Sequence, residues 1–196
     1  MKAGQTKNMI VASMCAALCV VLPMAFHAIP NAGSIFLPMH IPVLLCGFIC
    51  SWPYGLVCGV LGPVLSSLLT AMPPAAMLPG MACELAVYGL VTGLLFRRVH
   101  TRSSTANIYI SLIAAMICGR IVSGALNALI FQAGSYSMEI WLSAAFTTAL
   151  PGIAIQLVVI PALLLALEKV RVIEPVGQRF LPGRPAAGAE SHALRH

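Results

Sequence analysis

The chain contains no aspartate and few charged residues of any kind. Its 196 residues include five acidic and eleven basic side chains, which make up 8% of the sequence, whereas 60% of the residues are apolar. A soluble domain typically has about 25% charged residues. Because so few charges cannot cover the surface of a soluble protein of this size, the composition excludes an ordinary soluble enzyme, a disordered chain and a nucleic-acid-binding domain. It favours an integral membrane protein whose main solvent is the lipid bilayer.

The chain also lacks the motifs of several kinds of site. None of its lysines follows a glycine, so the phosphate-binding pattern G-x-x-x-x-G-K-[ST] is absent and we do not expect an ATPase. The seven cysteines have no metal-site spacing, so we expect small apolar residues rather than ligands or disulfides. We therefore expect no metal, no cofactor and no enzymatic activity. A membrane enzyme that uses Glu84 or Glu139 with a histidine is a further alternative.

Six apolar segments predict an all-α integral membrane protein with six transmembrane helices in one domain, residues 1–173. A helix needs about 20 apolar residues to cross a bilayer, and stretches rich in Pro, Gly and Asn separate the segments. The second segment is the shortest, and Pro151 with Gly152 is expected to kink the sixth. The predicted spans are residues 8–28, 38–50, 54–71, 80–96, 107–131 and 139–167.

The basic residues predict that both termini are cytoplasmic. All of them except Arg120 lie before the first span, between the fourth and fifth spans or after the sixth, and the three loops on the opposite side contain no Lys or Arg. An excess of Lys and Arg is typical of cytoplasmic loops. The tail, residues 174–196, is rich in Gly, Pro and Ala and has no apolar periodicity, so we expect it to be disordered.

Two charged residues, Glu84 and Arg120, lie inside predicted spans, where a charge needs a partner or a wet cavity. By spacing, Glu84 shares a helix face with Tyr88, and Arg120 shares one with Asn127, while Gly124 would leave room above the guanidinium. Arg120 could bind the carboxylate of a solute, because its planar guanidinium donates two parallel hydrogen bonds. Alternatively, Glu84 and Arg120 form an ion pair that ties the fourth and fifth spans together.

Further polar residues complete the candidate site. His27 and His40 flank the first outer loop, and a histidine near a helix end is more often an interfacial residue than a metal or proton site. Gln156 lies in the middle of the sixth span. The two tryptophans, Trp52 and Trp141, are expected at the membrane interfaces. The candidate substrate-binding residues are Glu84, Tyr88, Arg120, Asn127, His40 and Gln156.

Pairs of small residues four apart recur in the predicted spans. In lipid such pairs let helices approach closely, so most are expected to pack the bundle, and an outward-facing pair could dock a second protein. The pairs are Ala12 with Ala16, Gly55 with Gly59, Gly89 with Gly93, and Ala115 with Gly119.

Several of these segments resemble the substrate-binding (S) component of an energy-coupling factor (ECF) transporter, over residues 8–170. The resemblance is carried by the six-span pattern and by four stretches, together with Gly47, Gly59, Ala12 and Ala16. The stretches are LPMHIPVLL at 37–45, YGL at 54–56, LSSLLT at 65–70 and ELAVYGLVTGLL at 84–95.

The resemblance implies a protein of a prokaryotic plasma membrane that captures a vitamin from outside. It also implies a transmembrane coupling (T) subunit, which Ala12 and Ala16 would contact, and two cytoplasmic ATPases that drive uptake. The loop 72–79 and the first outer loop would act as lids. The nearest group contains the pantothenate, folate and riboflavin proteins. Because Arg120 suits a carboxylate, the candidates are pantothenate, folate, lipoate and biotin, of which we place pantothenate first. The alternative is a stand-alone ion-coupled carrier of a small anionic solute.

Overall fold

The computed structural model describes residues 3–25, 32–99, 103–131 and 137–169, and these ranges contain helices and turns but no strand. His27 and the tail 174–196 lie outside the described residues. The α-helices are α1 (Ala3–Ala25), α2 (Ala32–Phe36), α3 (His40–Cys50), α4 (Trp52–Thr70), α5 (Leu78–Arg98), α6 (Ser104–Leu126), α7 (Met138–Leu142) and α8 (Leu150–Lys169), and two π-helical turns are π1 (Asn127–Phe131) and π2 (Ser143–Thr147).

Five helical segments of the described chain are long and apolar enough to cross a bilayer. They carry many exposed Leu, Ile, Val and Met side chains, as expected of helices surrounded by lipid. The all-helical prediction is therefore confirmed for the described residues, and five of their helices are candidate membrane spans, whereas the six-span count and the orientation of the termini stay predictions. The five segments are Gln5–Ala25, Trp52–Thr70, Leu78–Arg98, Thr105–Phe131 and Leu150–Lys169.

The predicted second span corresponds to α3, which is a short central helix. At a rise of about 1.5 Å per residue its eleven residues extend roughly 16 Å, about half of the hydrocarbon thickness. Eight of those residues are buried, and α3 packs against α1, α4, α5 and α8. A helix that is apolar on all sides is typically surrounded by protein. Ser51 alone joins α3 to α4, and its amide donates to the Gly47 carbonyl.

The predicted sixth span, residues 139–167, is interrupted in the structure close to the kink expected at Pro151 and Gly152. The chain forms α7 and π2, turns at residues 148–149, and begins α8 at Leu150. Pro151 explains the break, because proline lacks an amide hydrogen and is tolerated in the first turn of a helix but not in its interior. Only α8 has the length and apolarity of a span within this region.

Glycines bring α4 and α5 into backbone contact. A Cβ on Gly89 would overlap the carbonyl group of Gly55, and a Cβ on Gly59 would overlap the carbonyl of Leu85. Gly93 makes room in the same way for the start of α4 at Trp52. The Gly55/Gly59 and Gly89/Gly93 pairs therefore pack α4 against α5, as predicted for most pairs of this kind.

Five of the seven cysteines, although scattered along the sequence, meet in the core. Their side chains are buried where α1, α3 and α4 pack together. The thiol of Cys46 contacts those of Cys15, Cys50 and Cys58, and the thiol of Cys58 also contacts that of Cys19. All seven cysteines are free thiols. The five buried ones fill a well-packed region, as expected of small apolar residues.

Candidate functional site

A buried polar cluster lies where α3 and α5 meet. Glu84 and Tyr88 are one turn apart on α5, and the Tyr88 hydroxyl donates to Glu84 Oε1 at 2.8 Å. His40, the first residue of α3, places its Nε2 atom 3.7 Å from the same carboxylate oxygen. Its ring also stands edge-on to the Tyr88 ring, with centroids 5.3 Å apart. The shared face of Glu84 and Tyr88 is confirmed, and His40 joins it from a second helix.

His40 is not the interfacial residue that its position near a helix end predicted. Its side chain is only 1% exposed within the protein. The prediction was wrong because α3 is a central helix, so that even its first turn is enclosed by neighbouring helices. Within the described ranges, the Nδ1 atom of His40 has no hydrogen-bond partner.

Arg120 brings a second charge to the cluster from α6. It is 5% exposed, and its guanidinium interacts electrostatically with the Glu84 carboxylate and with the Tyr88 hydroxyl. Gly119 allows this approach, because a Cβ there would overlap the ring of Tyr88. The arrangement is compatible with both predicted roles of Arg120, since one pair of charges can tie α5 to α6 and also face a solute.

Two aromatic side chains cover Arg120. The indole of Trp141 occupies the space beside Gly124 that a Cβ would fill, and its Nε1 atom donates to the Arg120 carbonyl at 3.2 Å. The prediction that Gly124 leaves open room above the guanidinium is therefore wrong, because Trp141 fills that room. Phe146 lies over the guanidinium, with Cζ of Arg120 6.0 Å from the ring centroid. Trp141 is partly buried inside the protein and not simply an interfacial tryptophan.

Asn127 lies near the cluster but does not join it. Its amide nitrogen donates to the Ser123 carbonyl at 2.9 Å, and its side chain packs where a Cβ on Gly80 would be. The Ser123 hydroxyl in turn donates to the Gly80 carbonyl at 3.2 Å. These contacts tie the end of α6 to the start of α5, so the structure gives Asn127 a packing role between those helices.

Gln156 is fully buried on α8, with 0% of its surface exposed. Neither its amide oxygen nor its amide nitrogen has a hydrogen-bond partner among the residues that the structure describes. Leaving such a group unsatisfied costs about 1–3 kcal/mol. Because α8 packs against both α3 and α6, Gln156 lies on a helix adjoining those that carry His40 and Arg120. Its amide is able to donate one hydrogen bond to a solute and accept another.

Ala12 and Ala16, the predicted docking residues, lie on α1. Both are partly buried and pack against the apolar core. The exposed side of α1 is formed instead by larger apolar residues, including Met14, Leu18 and Val21. A second protein that contacts Ala12 and Ala16 would therefore bind beside the exposed apolar surface of α1, where the helix meets the core.

The cluster combines opposite charges with neutral hydrogen-bonding groups in a largely apolar protein. Arg120 is suited to an anionic group, whereas Glu84, His40 and Tyr88 can exchange hydrogen bonds with hydroxyl or amide groups. Within the described ranges, no three His, Cys or Glu side chains are placed to hold a metal ion.

Phe146 and Trp141 are not among the site residues predicted from the sequence. A signal was present, since Gly119 and Gly124 flank Arg120 on α6 and small residues beside a buried charge leave space for rings from other helices. The spacing shows that space exists but not which ring occupies it. The partner depends on how the chain between α6 and α8 folds back.

The model of one protein family matches most of the chain. Its description is "ECF transporter, substrate-specific component", and it matches residues 7–164. This range contains every residue of the buried polar cluster, together with Gln156 and the two alanines of α1. No curated protein and no solved structure matches the chain significantly.

Proposed function

The chain belongs to the family of substrate-specific components of ECF transporters, and from this membership we propose that it captures a small water-soluble vitamin, pantothenate being the first candidate. Membership and the apolar helices make it a multi-pass membrane protein that serves as a substrate-specific subunit. The proposal adds the identity of the solute, the prokaryotic plasma membrane and capture at the outer face.

The observation that supports an anionic vitamin is the burial of Arg120 beside Glu84, His40 and Tyr88. A charge at the centre of a membrane helix costs at least about 2.5–3.5 kcal/mol on insertion scales, so such a residue typically has a functional role. Pantothenate carries one carboxylate, one amide and two hydroxyl groups. Arg120 is suited to the carboxylate, and the amide of Gln156 is suited to the amide or a hydroxyl group.

The energy for uptake would come from partner subunits. The sequence contains no phosphate-binding G-x-x-x-x-G-K pattern, so the proposed function assigns ATP hydrolysis to two cytoplasmic ATPases and no catalysis to this chain. A T subunit would couple them to the chain through α1, at Ala12 and Ala16. The six-span topology with both termini in the cytoplasm belongs to the same proposal.

Binding of pantothenate to the purified protein tests this function. After purification in mild detergent, mass spectrometry identifies any retained solute, and isothermal titration calorimetry with pantothenate gives the affinity of the emptied protein. Arg120→Ala should weaken binding about 10- to 150-fold, the effect of losing a charged hydrogen bond. The matched control is Arg97→Ala, because Arg97 is exposed at the end of α5.

The outcomes separate the two roles of Arg120. Normal binding by a folded Arg120→Ala protein would show that Arg120 does not bind the carboxylate. Loss of the folded protein, as judged by thermal unfolding, would show that the Arg120–Glu84 interaction is mainly structural. Retention of a different vitamin would leave the function intact and correct the substrate.

A stand-alone ion-coupled carrier is the second candidate, and the contact between His40 and Glu84 favours it. Buried ionisable pairs mark proton and ion pathways in many transporters. Proteoliposomes that contain only this chain decide between the two functions. Uptake of pantothenate under an ion gradient without ATP would select the carrier. Uptake only after addition of a T subunit, ATPases and ATP would select the ECF subunit.

A further inference from the structure

Residues 137–148, which we call the cap segment, comprise Ser137, α7, π2 and the following Thr148. The Ser137 hydroxyl accepts a hydrogen bond from the Ile140 amide and begins the segment. Apart from Trp141, every side chain of the cap segment that the structure describes is exposed. The segment is therefore held against the bundle mainly through one indole ring.

Trp141 is held in a specific notch. Gly124 on α6 provides the space for the ring, and the Arg120 carbonyl accepts a hydrogen bond from the indole nitrogen. The indole ring of Trp141 and its N–H group therefore lie against the turn of α6 that carries Arg120. Among the side chains of the cap segment that the structure describes, Trp141 is the one that is not exposed, so it is the candidate anchor of the segment.

Phe146 covers the guanidinium from the same segment. Its ring centroid lies 6.0 Å from Cζ of Arg120, at the limit of a cation–π interaction. The rings of Trp141 and Phe146 also contact each other edge to face, with centroids 5.8 Å apart. The two aromatic side chains therefore pack against each other as a pair on the cap segment.

The cap segment ends in π2 and the turn at residues 148–149. Phe146 lies in π2, where the Thr148 amide donates to the Ser143 carbonyl at 2.8 Å, and the turn at 148–149 separates it from α8. Single π-helical turns are common at functional sites. A movement of the segment relative to α8 would take place at this turn.

We propose that the cap segment covers Arg120, with Trp141 as its anchor and Phe146 as its cover, and that an anionic solute reaches the guanidinium by displacing Phe146. This inference rests on the proposed function, because it makes the cap a competitor of the solute at the same charge. Two charge-assisted hydrogen bonds to a carboxylate are stronger than a cation–π contact at this distance. The carboxylate of the solute would therefore bind Arg120 in place of Phe146, and the contact between Phe146 and the guanidinium would be lost.

The first experiment uses no vitamin and tests the cover directly. Phenylglyoxal, which reacts with arginine, is added to the detergent-solubilised protein, and peptide mass spectrometry follows modification of Arg120 with Arg97 as an exposed internal reference. Phe146→Leu should raise the modification rate of Arg120 about twofold to thirtyfold, the range for loss of a cation–π contact. Phe131→Leu, which removes an exposed ring from π1, is the matched control. Equal rates for Arg120 in the Phe146→Leu and parent proteins would overturn the proposal.

The second experiment measures competition with pantothenate as the probe. The chain has two tryptophans, so Trp52→Phe leaves Trp141 as the only one. In that background, saturating pantothenate should shift the emission of Trp141 to longer wavelength as the indole leaves its notch. Phe146→Leu should tighten the dissociation constant about twofold to thirtyfold, whereas Phe131→Leu should leave it unchanged.

Failure of the cap and failure of the proposed function give different results. If the parent protein does not bind pantothenate, the substrate proposal fails, and the phenylglyoxal rates still decide whether Phe146 covers Arg120. If pantothenate binds but Phe146→Leu leaves the dissociation constant unchanged or weakens it, Phe146 does not compete with the solute. In that case the cap proposal fails, although the protein still binds the vitamin.

Discussion

Replacement of Gly89 by alanine should destabilise the protein, because this glycine sets the distance between α4 and α5. A Cβ at position 89 would overlap the carbonyl oxygen and carbonyl carbon of Gly55. Ordinary Cβ contacts begin at about 3.4 Å, so the two helices would have to separate by roughly 1 Å. Neighbouring contacts along the same interface, at Gly59 and Gly93, would lengthen with them.

The size of the effect follows from this separation. A gap of about 0.5–1 Å removes about a quarter to a half of the attractive dispersion energy of each affected contact. Adding a methyl group to a packed core typically costs about 1–3 kcal/mol of stability. Alanine regains at most about 1 kcal/mol of helix propensity. For a chain of this length, each kcal/mol shifts the melting temperature by about 2–4 °C. The lengthened contacts at Gly59 and Gly93 offset the gain in helix propensity, so a net loss of about 1–3 kcal/mol in Gly89→Ala should lower the melting temperature by about 2–12 °C.

Thermal unfolding in detergent with a thiol-reactive dye measures this loss, because five cysteines are buried and become reactive only on unfolding. Gly33→Ala is the matched control, since no atom lies within 4 Å of a Cβ at Gly33. Adding Gly55→Ala should lower the melting temperature by less than the sum of the single effects, because both methyl groups meet at one contact. Equal melting temperatures for Gly89→Ala and Gly33→Ala would refute the backbone contact between α4 and α5.

Two further predictions concern the solute and the partner. Gln156→Leu should raise the melting temperature of the empty protein, because it removes a buried amide that has no partner among the described residues, and should weaken binding of pantothenate measured by calorimetry. A lower melting temperature would show that the amide is satisfied within the protein. Ala12→Trp with Ala16→Trp should reduce co-purification of a T subunit and ATPases, whereas Ala17→Trp, an exposed alanine on the same helix, serves as the control. Full co-purification by a folded double variant would exclude docking at these alanines.

The helical nature of the spans could be predicted because it depends on local composition. A run of apolar residues requires its backbone hydrogen bonds to be satisfied within the segment, and in lipid a helix achieves this. The contact between Glu84 and Tyr88 was predictable for a similar reason, since residues four apart share a helix face. Pro151 indicated a kink in the sixth span, and the structure interrupts the helix just before it with π2 and the turn at residues 148–149.

The neighbours of a residue on other helices could not be predicted in this way. His40 looked interfacial because it lies near a helix end, but α3 is enclosed by other helices and His40 is buried against Glu84. Gly124 correctly signalled space on α6, yet the ring that fills the space, that of Trp141, comes from a segment about 17 residues later in the chain. Such contacts depend on the rotation and depth of each helix in the bundle.

The sequence by itself determined that the protein lies in a membrane, that it is helical, and that Glu84 and Arg120 are charges in need of a partner. These conclusions follow from the cost of exposing polar groups to lipid, which acts on each segment separately. Only the tertiary structure decided that His40 lies beside Glu84, and that Trp141 and Phe146 pack against Arg120. The physical reason is that helices in lipid are positioned by close packing at small residues, and one-dimensional spacing does not specify which surfaces meet.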